Sequence, residues 1–101
     1  MPTVYITAPN EVAESLAIGL VENRLAACVN RFPCHSTYWW DDEIQQGEEA
    51  ILLAKTSSIQ YPELVAYVEE VHPYETPCIE RFDATALNDS FREWIKTETT
   101  A

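Results

Sequence analysis

One uninterrupted stretch, from Leu25 to Trp40, most constrains what this chain can fold into. Its first half is a run of small and β-branched residues, and its second half holds Thr, Tyr and Trp, which fit the half-buried face of a sheet. The stretch predicts one long β-strand. At about 3.3 Å per residue, this strand would be roughly 50 Å long, which exceeds the width of a compact domain of this size. We therefore expect something outside the subunit to cover its far end.

The same stretch predicts a projecting β-hairpin. The apolar run from Ile51 to Thr56 is its natural antiparallel partner, and the segment from Asp41 to Gly47 joins the two strands. Pro33 lies in the middle of the first strand and has no N–H to donate. We therefore expect a bend, a bulge or a stretch left unpaired on one side at that position.

The rest of the chain alternates between helical and strand patterns. Apolar residues at spacings of three and four predict helices, and period-two alternation predicts strands. In order, the predicted elements outside the hairpin are a strand over Thr3–Thr7, a helix over Glu11–Arg24 capped by Asn10, a helix from Tyr61 that ends before Pro73, a strand over Cys78–Ala84 and a short helix from Ser90.

This order predicts an α+β fold of one domain over residues 1–101, with a ferredoxin-like β-α-β-β-α-β arrangement and a C-terminal helix. Such a fold places a four-stranded antiparallel sheet under helices on one face. Aromatic and β-branched side chains on both faces of the hairpin predict that other subunits cover the second face. Closed cyclic symmetry is the usual way to achieve this.

The charge of the chain restricts its partners. There are 17 acidic and 6 basic residues, and the formal net charge is −11. An acidic surface repels phosphate backbones and anionic lipids, so neither nucleic acid nor a membrane is an expected partner. Cations are favoured, although adaptation of the whole surface to high salt explains the acidity equally well. No apolar run approaches the length of a membrane span and no signal segment is visible, so we expect a cytoplasmic protein.

Three cysteines, Cys28, Cys34 and Cys78, are too few and too irregularly spaced for a disulfide framework. We expect reduced thiols. Cys28 lies within an apolar run and is typical of a small core residue, whereas Cys34 beside His35, and Cys78 after a proline, are expected to be more exposed.

The segment from His72 to Pro77 holds a titratable His, a phenol and a carboxylate between two prolines. The prolines predict a rigid loop, and the rigid display of polar groups is typical of a binding site. The alternative is a plain connection in which His72 caps carbonyl groups at a helix end.

Several segments taken together resemble one known family, the CutA (divalent-cation tolerance) family. The resemblance covers essentially the whole chain. The matching segments are Leu25–Asn30, Tyr38–Trp40, Glu48 through Lys55 and Thr56, His72–Pro77, and Trp94 with Ile95.

The resemblance implies a ferredoxin-like subunit in a tight homotrimer, similar to the PII signalling proteins, with the hairpin wrapped around a neighbour. It implies a role in tolerance of divalent metals, copper among them, without an organic cofactor. By the same resemblance, Cys28 and His72 match positions tied to metal binding. The residues expected around a cleft between subunits are Tyr38, Trp40, Lys55, Tyr74 and Glu75.

The chain departs from the family pattern at three places. Cys78 stands where members usually have a glutamate, which replaces a hard oxygen donor by a soft sulfur donor and makes Cys78 a third candidate metal ligand. Asp42 and Glu43 replace a glycine and lysine at the hairpin tip. Cys34 and His35 form an additional candidate donor pair.

Three functions remain open on the sequence. The first is a trimeric, non-catalytic protein of metal response or signalling, whose cleft binds a metal or a small ligand. The second is an enzyme with His72 as general base, although no nucleophile–base set or phosphate loop is visible. The third is a structural assembly module. Lys55 is expected to hold a small anionic ligand, or to pair with a carboxylate such as Glu48 or Glu75.

Overall fold

Four strands and three helices alternate along residues 1–100, the part of the chain that this computed structural model describes. Their order confirms the predicted α+β class. The elements are β1 (Pro2–Ala8), α1 (Asn10–Glu22), β2 (Cys28–Trp40), β3 (Glu43–Lys55), α2 (Tyr61–Val71), β4 (Ile79–Asp83) and α3 (Asp89–Glu98).

The strands form one antiparallel sheet in the order β2-β3-β1-β4, which confirms the ferredoxin-like arrangement. Alternate residues of β1 are buried, and the remainder are only partly covered. The buried face packs against the helices, and the opposite face has no layer over it within the described chain. The most deeply buried core side chains are Val4, Ile6, Leu20, Leu52, Leu64 and Val68.

The first helix and the second strand have different bounds from those predicted. Asn10 is the first helical residue rather than a side-chain cap, and the residue before it, Pro9, lies at the cap position. Arg24 adopts a φ of 59°, which ends the helix and reverses the chain. The backbone N–H of Leu25 then donates to the Leu20 carbonyl, 2.9 Å away. The segment before Cys28 is therefore a buried turn and not part of the strand.

The hairpin connection is much shorter than the predicted segment of residues 41–47. Only Asp41 and Asp42 join the strands, with φ values of 52° and 60°. Positive φ at both positions defines a type I′ turn, whose twist matches that of the flanking strands. Continuous cross-strand pairing therefore extends β3 back to Glu43, through polar residues that carry no strand signal of their own.

Pro33 sits in an unbroken ladder. The pairing runs in one register from Cys28 opposite Lys55 to Trp40 opposite Glu43, without a bulge over these strands. The Trp40–Glu43 pair closes the turn and is hydrogen-bonded, and hydrogen-bonded pairs alternate along the ladder. Pro33 is an odd number of residues from Trp40, so it belongs to a non-hydrogen-bonded pair. Its nitrogen therefore points away from β3, to the outer edge of the sheet. Of the three alternatives, the stretch left unpaired on one side is correct.

The far half of the hairpin is a two-stranded ribbon. β1 pairs with Ala50–Lys55 of β3, and beyond Ala50 the strand pairs with β2 alone. The subunit is accordingly 45 Å long but only 26 Å and 20 Å across. The ribbon exposes Tyr38, Trp39, Trp40 and Ile44. Because an isolated two-stranded ribbon is barely stable in water, this geometry agrees with the expectation that another molecule covers it.

Replacing Asp42 by glycine should stabilise the protein. Glycine adopts the positive φ of Asp42 without the steric cost that a Cβ imposes. We expect Asp42→Gly to raise the free energy of unfolding by about 0.5–1 kcal/mol, measured by guanidinium denaturation. Asp42→Ala removes the same charge but keeps the Cβ, and it should show no gain. Equal stability of the two variants would contradict this account of the turn.

Candidate functional site

A cleft of about 780 Å³ lies on the open face of the sheet, between the hairpin ribbon and the loop that follows α2. Aromatic and acidic side chains dominate it, and no Lys or Arg is among the described residues that line it. The aromatic rings are those of Tyr5, Tyr38, Trp40 and Tyr74. The acidic groups are Glu49, Glu75 and Glu80, and one thiol, that of Cys78, joins them. Such a lining attracts cations and repels anions.

The strand register explains why these side chains meet. Residues at alternate positions of a strand share a face. Tyr38 of β2, Glu49 of β3 and Tyr5 of β1 all lie on the face that the helices leave open. The loop from Pro73 to Thr76 closes one side of the cleft, and its bounding prolines restrict the backbone that carries Tyr74.

His72 is buried and holds this loop against the sheet. Its Nδ1 accepts a hydrogen bond from the Tyr74 backbone N–H at 3.1 Å, so its Nε2 carries the hydrogen and donates to the Thr7 carbonyl at 2.8 Å. Both ring nitrogens are therefore engaged. The predicted alternative, in which His72 caps carbonyls at the helix end, is wrong because its partner is a strand carbonyl. Metal binding or proton abstraction by this ring would require one of the two bonds to break.

Tyr74 and Glu49 link the loop to β3. The Tyr74 hydroxyl donates to Glu49 Oε2 at 2.7 Å, and its ring packs against the His72 ring with the centroids 4.8 Å apart. Burial, followed by the hydrogen bond to Glu49, raises the pKa of Tyr74 well above its usual value. The phenol is thus protonated at neutral pH and orients the buried Glu49 carboxylate within the cleft.

The two predicted cysteine ligands lie at opposite edges of the sheet. Cys28 is on the edge strand β2, opposite Lys55, whereas Cys78 immediately precedes the other edge strand, β4. Three strand spacings of about 4.8 Å separate these edges, about 14 Å in all. No group of three or more His, Cys, Asp or Glu side chains in residues 1–100 is placed to hold a metal ion. Within one subunit, Cys28, His72 and Cys78 do not form one site.

Burial raises the pKa of both thiols. For Cys78, the carboxylates of Glu80 and Glu49 add to the effect of burial on the pKa. For Cys28, the Lys55 ammonium opposes the burial effect on the pKa only in part. Since the thiolate is the metal-binding form, either sulfur must release a proton before it can bind a metal.

Lys55 lies outside the cleft. Its ammonium donates to Thr3 Oγ1 at 3.2 Å, near Cys28. The expected pairing with Glu48 does not occur in the subunit, because the two residues are an odd number of positions apart on β3 and point to opposite faces. The same rule separates Cys34 from His35, so the donor pair expected there is wrong. His35 instead faces Glu48, with Nδ1 and Oε1 3.9 Å apart.

The structure thus brings together Tyr38, Trp40, Tyr74, Glu75 and Cys78 from the predicted set. Sequence reasoning missed Glu49, Glu80 and Tyr5. The sequence did carry a signal for Glu49. Glu49, Ile51, Leu53 and Lys55 follow one another at every second position, so their side chains share the open face of the sheet. The link of Glu49 to Tyr74 depends on the loop and carries no sequence signal.

Together, these features define a class of protein: a ferredoxin-like α+β subunit with a projecting hairpin and an acidic, aromatic cleft on its open sheet face. Comparison with known families makes the assignment specific. The chain belongs to the CutA1 divalent ion tolerance protein family, whose model matches residues 2–98. The resemblance seen in the sequence is confirmed. No helix in residues 1–100 is long and apolar enough to cross a membrane.

Several relatives match over nearly their whole length. The divalent-cation tolerance protein CutA of Archaeoglobus fulgidus is 41% identical over 93 residues, which cover 91% of each chain. Its solved structure, described as that of a periplasmic protein, has a TM-score of 0.94. CutA1 of Pyrococcus horikoshii has a TM-score of 0.96 at 33% identity over 100% of both chains. A PII-like protein CutA from a Nostoc species has a TM-score of 0.95 at 32% identity, and covers 99% of this chain and 98% of its own.

Proposed function

We propose that this chain forms a cytoplasmic homotrimer that serves a non-catalytic role in metal tolerance. In this proposal, the cleft on the open sheet face lies between subunits and binds copper or another divalent metal ion. The observation that carries the proposal is the lining of the cleft, in which the described residues supply three carboxylates and one thiol but no basic side chain.

The electrostatics of the cleft support a cationic ligand. With a net charge of −11, the chain attracts cations at long range, and low-dielectric walls concentrate that field within clefts. Cys78 supplies a soft donor at the rim of this acidic site, which favours Cu(I) or Zn(II) over Mg(II) or Ca(II). Membership of a divalent ion tolerance family agrees with this chemistry.

A complete metal site requires a second subunit. Cys28 and Cys78 are too far apart to share an ion in one chain, so Cys28 would join the site only across an interface. His72 would join it only by giving up a hydrogen bond to Thr7 or Tyr74. Cys78 is therefore the predicted ligand that the subunit geometry supports best.

The trimer is supported by the two surfaces that the subunit leaves uncovered, the open sheet face and the ribbon. Cyclic packing would cover both at once. The Nostoc relative, described as PII-like, matches with a TM-score of 0.95. A PII-like assembly of this chain would be consistent with the two uncovered surfaces.

Anaerobic titration of the reduced protein with Cu(I) and Zn(II), with its mass followed by light scattering, tests the proposal. We expect saturable binding to a trimer that weakens strongly in Cys78→Ser. Cys34→Ser serves as the matched control, because this thiol is not among the residues that line the cleft. An intact trimer that binds neither metal would contradict the metal role.

The pH dependence of this binding gives a separate prediction. Since burial raises the pKa of Cys78, its thiol is protonated at neutral pH and the metal must displace a proton. We expect the apparent affinity to rise with pH, by up to about tenfold per pH unit, until the raised thiol pKa is reached. Titrations at pH 6.5, 7.5 and 8.5 measure the slope. A pH-independent affinity would show that no thiol proton is released.

A second candidate function is PII-like signalling through a small non-metal ligand in the same cleft. Its four aromatic rings favour this alternative, since rings bind organic cations through their faces. A small anionic ligand remains a separate prediction for the surface near Lys55, outside the cleft. Catalysis with His72 as general base is less well supported, because both ring nitrogens are hydrogen-bonded.

A further inference from the structure

A second cleft, of about 630 Å³, lies at the end of the subunit opposite the hairpin tip. Three separate segments form it: Met1, the connection from Ser57 to Gln60, and α3, through Arg92 and Lys96, with the residues just after it. The volume is in the range of small-molecule sites. This cleft shares no residue with the acidic cleft on the sheet, so the inference drawn from it is independent of the proposed function.

The charge of this second cleft is opposite to that of the rest of the chain. Arg92 and Lys96 line it, and none of the 17 acidic residues is among the described residues that do. Each cation makes an exposed salt bridge within α3: Arg92 lies 3.5 Å from Asp89, and Lys96 lies 3.6 Å from Glu93. Exposed pairs of this kind contribute little stability, so both cations can turn to a ligand at small cost.

Two hydroxyl groups complete the polar side of the cleft. Ser57 Oγ accepts a hydrogen bond from the Gln60 backbone N–H, and Ser58 Oγ accepts one from the Arg81 guanidinium at 3.0 Å. Each serine therefore keeps its own O–H to donate to a ligand. Donation from the charged Arg81 polarises the Ser58 hydroxyl and strengthens it as a donor. Two cations and two hydroxyl donors are the groups that bind carboxylates and phosphates.

The remaining lining consists of Met1, Ile59, Gln60, Thr99 and Thr100. Ile59 is 86% exposed beside the two serines, where a large aliphatic side chain has no partner in the described subunit. We propose that this cleft binds a small organic anion, whose carboxylate or phosphate group contacts Arg92, Lys96 and the two serines. The apolar body of the ligand then lies against Ile59.

Amide chemical shifts of the full-length, isotope-labelled protein test the site, with phenyl phosphate and benzoate as probes. We expect saturable shifts in residues 57–60 and 96–100 with at least one probe, and the tighter probe identifies the anionic group. Inorganic phosphate lacks the apolar body, and neutral phenol lacks the anionic group. Each should therefore bind at least about tenfold more weakly than the tighter probe. Equal affinity for inorganic phosphate and phenyl phosphate, with no binding of benzoate, would overturn the proposed apolar contact.

The double substitution Arg92→Gln with Lys96→Gln should weaken binding by about tenfold or more. The control, Arg31→Gln, removes a basic charge from β2, which does not line this cleft, and should leave the affinity within about twofold, because distant charges are screened. Retained affinity in the first variant, or no saturation at millimolar concentrations of either probe, would overturn the proposal. Metal titration of the same variants should match the wild type, which separates this test from that of the acidic cleft.

Discussion

Ile44→Asp is expected to convert the proposed trimer into single chains. Ile44 pairs with Trp39 across the ribbon and is 62% exposed in the subunit. If a neighbouring subunit covers this pair, burying a carboxylate there without a partner costs more than the roughly 2–7 kcal/mol of burying an unpaired amide or hydroxyl group. Light scattering should show the mass fall from about three times the chain mass of 11.5 kDa to that of one chain.

Ile59→Asp is the matched control for this prediction. It introduces the same side chain at an isoleucine that is 86% exposed, on the connection between β3 and α2 and away from the hairpin. We expect its mass to remain that of the assembly. A trimer that survives Ile44→Asp would show that the ribbon lies outside the interface. Loss of the trimer in both variants would show that added charge, rather than its position, is responsible.

His72→Ala is expected to lower the free energy of unfolding of the metal-free protein by about 2–4 kcal/mol. The substitution removes both ring hydrogen bonds, leaves the Thr7 carbonyl without its partner, and opens a cavity under the Tyr74 ring. Guanidinium denaturation in the presence of a chelator measures the effect. The loop that closes the acidic cleft should also become more mobile, because His72 holds it to β1.

His35→Ala is the control, since the His35 side chain is 85% exposed and its contact with the Glu48 carboxylate is long, at 3.9 Å. It should change the free energy of unfolding by no more than about 0.5 kcal/mol. If His72→Ala left stability unchanged but abolished metal binding, the ring would be a metal ligand, as the sequence predicted, and the structural role argued from its hydrogen bonds would be wrong.

The order of the elements was predictable from the sequence, because helical and strand periodicities are local properties. Long apolar patterns such as those of α2 and β1 specify their own secondary structure. The polar half of β3, from Glu43 to Glu49, has no such pattern. It is a strand because it pairs with β2, in a register that the Asp41–Asp42 turn sets. Such cross-strand pairing cannot be predicted from the sequence of either segment alone.

The candidate site was predictable only where one segment carries several of its residues. Tyr74 and Glu75 belong to one loop, and Tyr38 and Trp40 to one face of one strand, so their grouping follows from short-range geometry. The distance between Cys28 and Cys78 depends on the strand order, which puts their strands at opposite edges. The hydrogen bond of Tyr74 to Glu49 depends on how a loop folds over the sheet.

The outer edge of β2 has a consequence for single copies of the chain. This edge strand runs for 13 residues, and on its outer side the backbone donors and acceptors are left free by the subunit. Such an edge, with the exposed aromatic side chains of Tyr38, Trp39 and Trp40 on its far half, is a template for pairing with strands of other chains. A net charge of −11 on each chain counters this pairing, because copies of the chain repel one another at long range. We expect this repulsion to oppose aggregation, except in encounters where extensive apolar contact outweighs it.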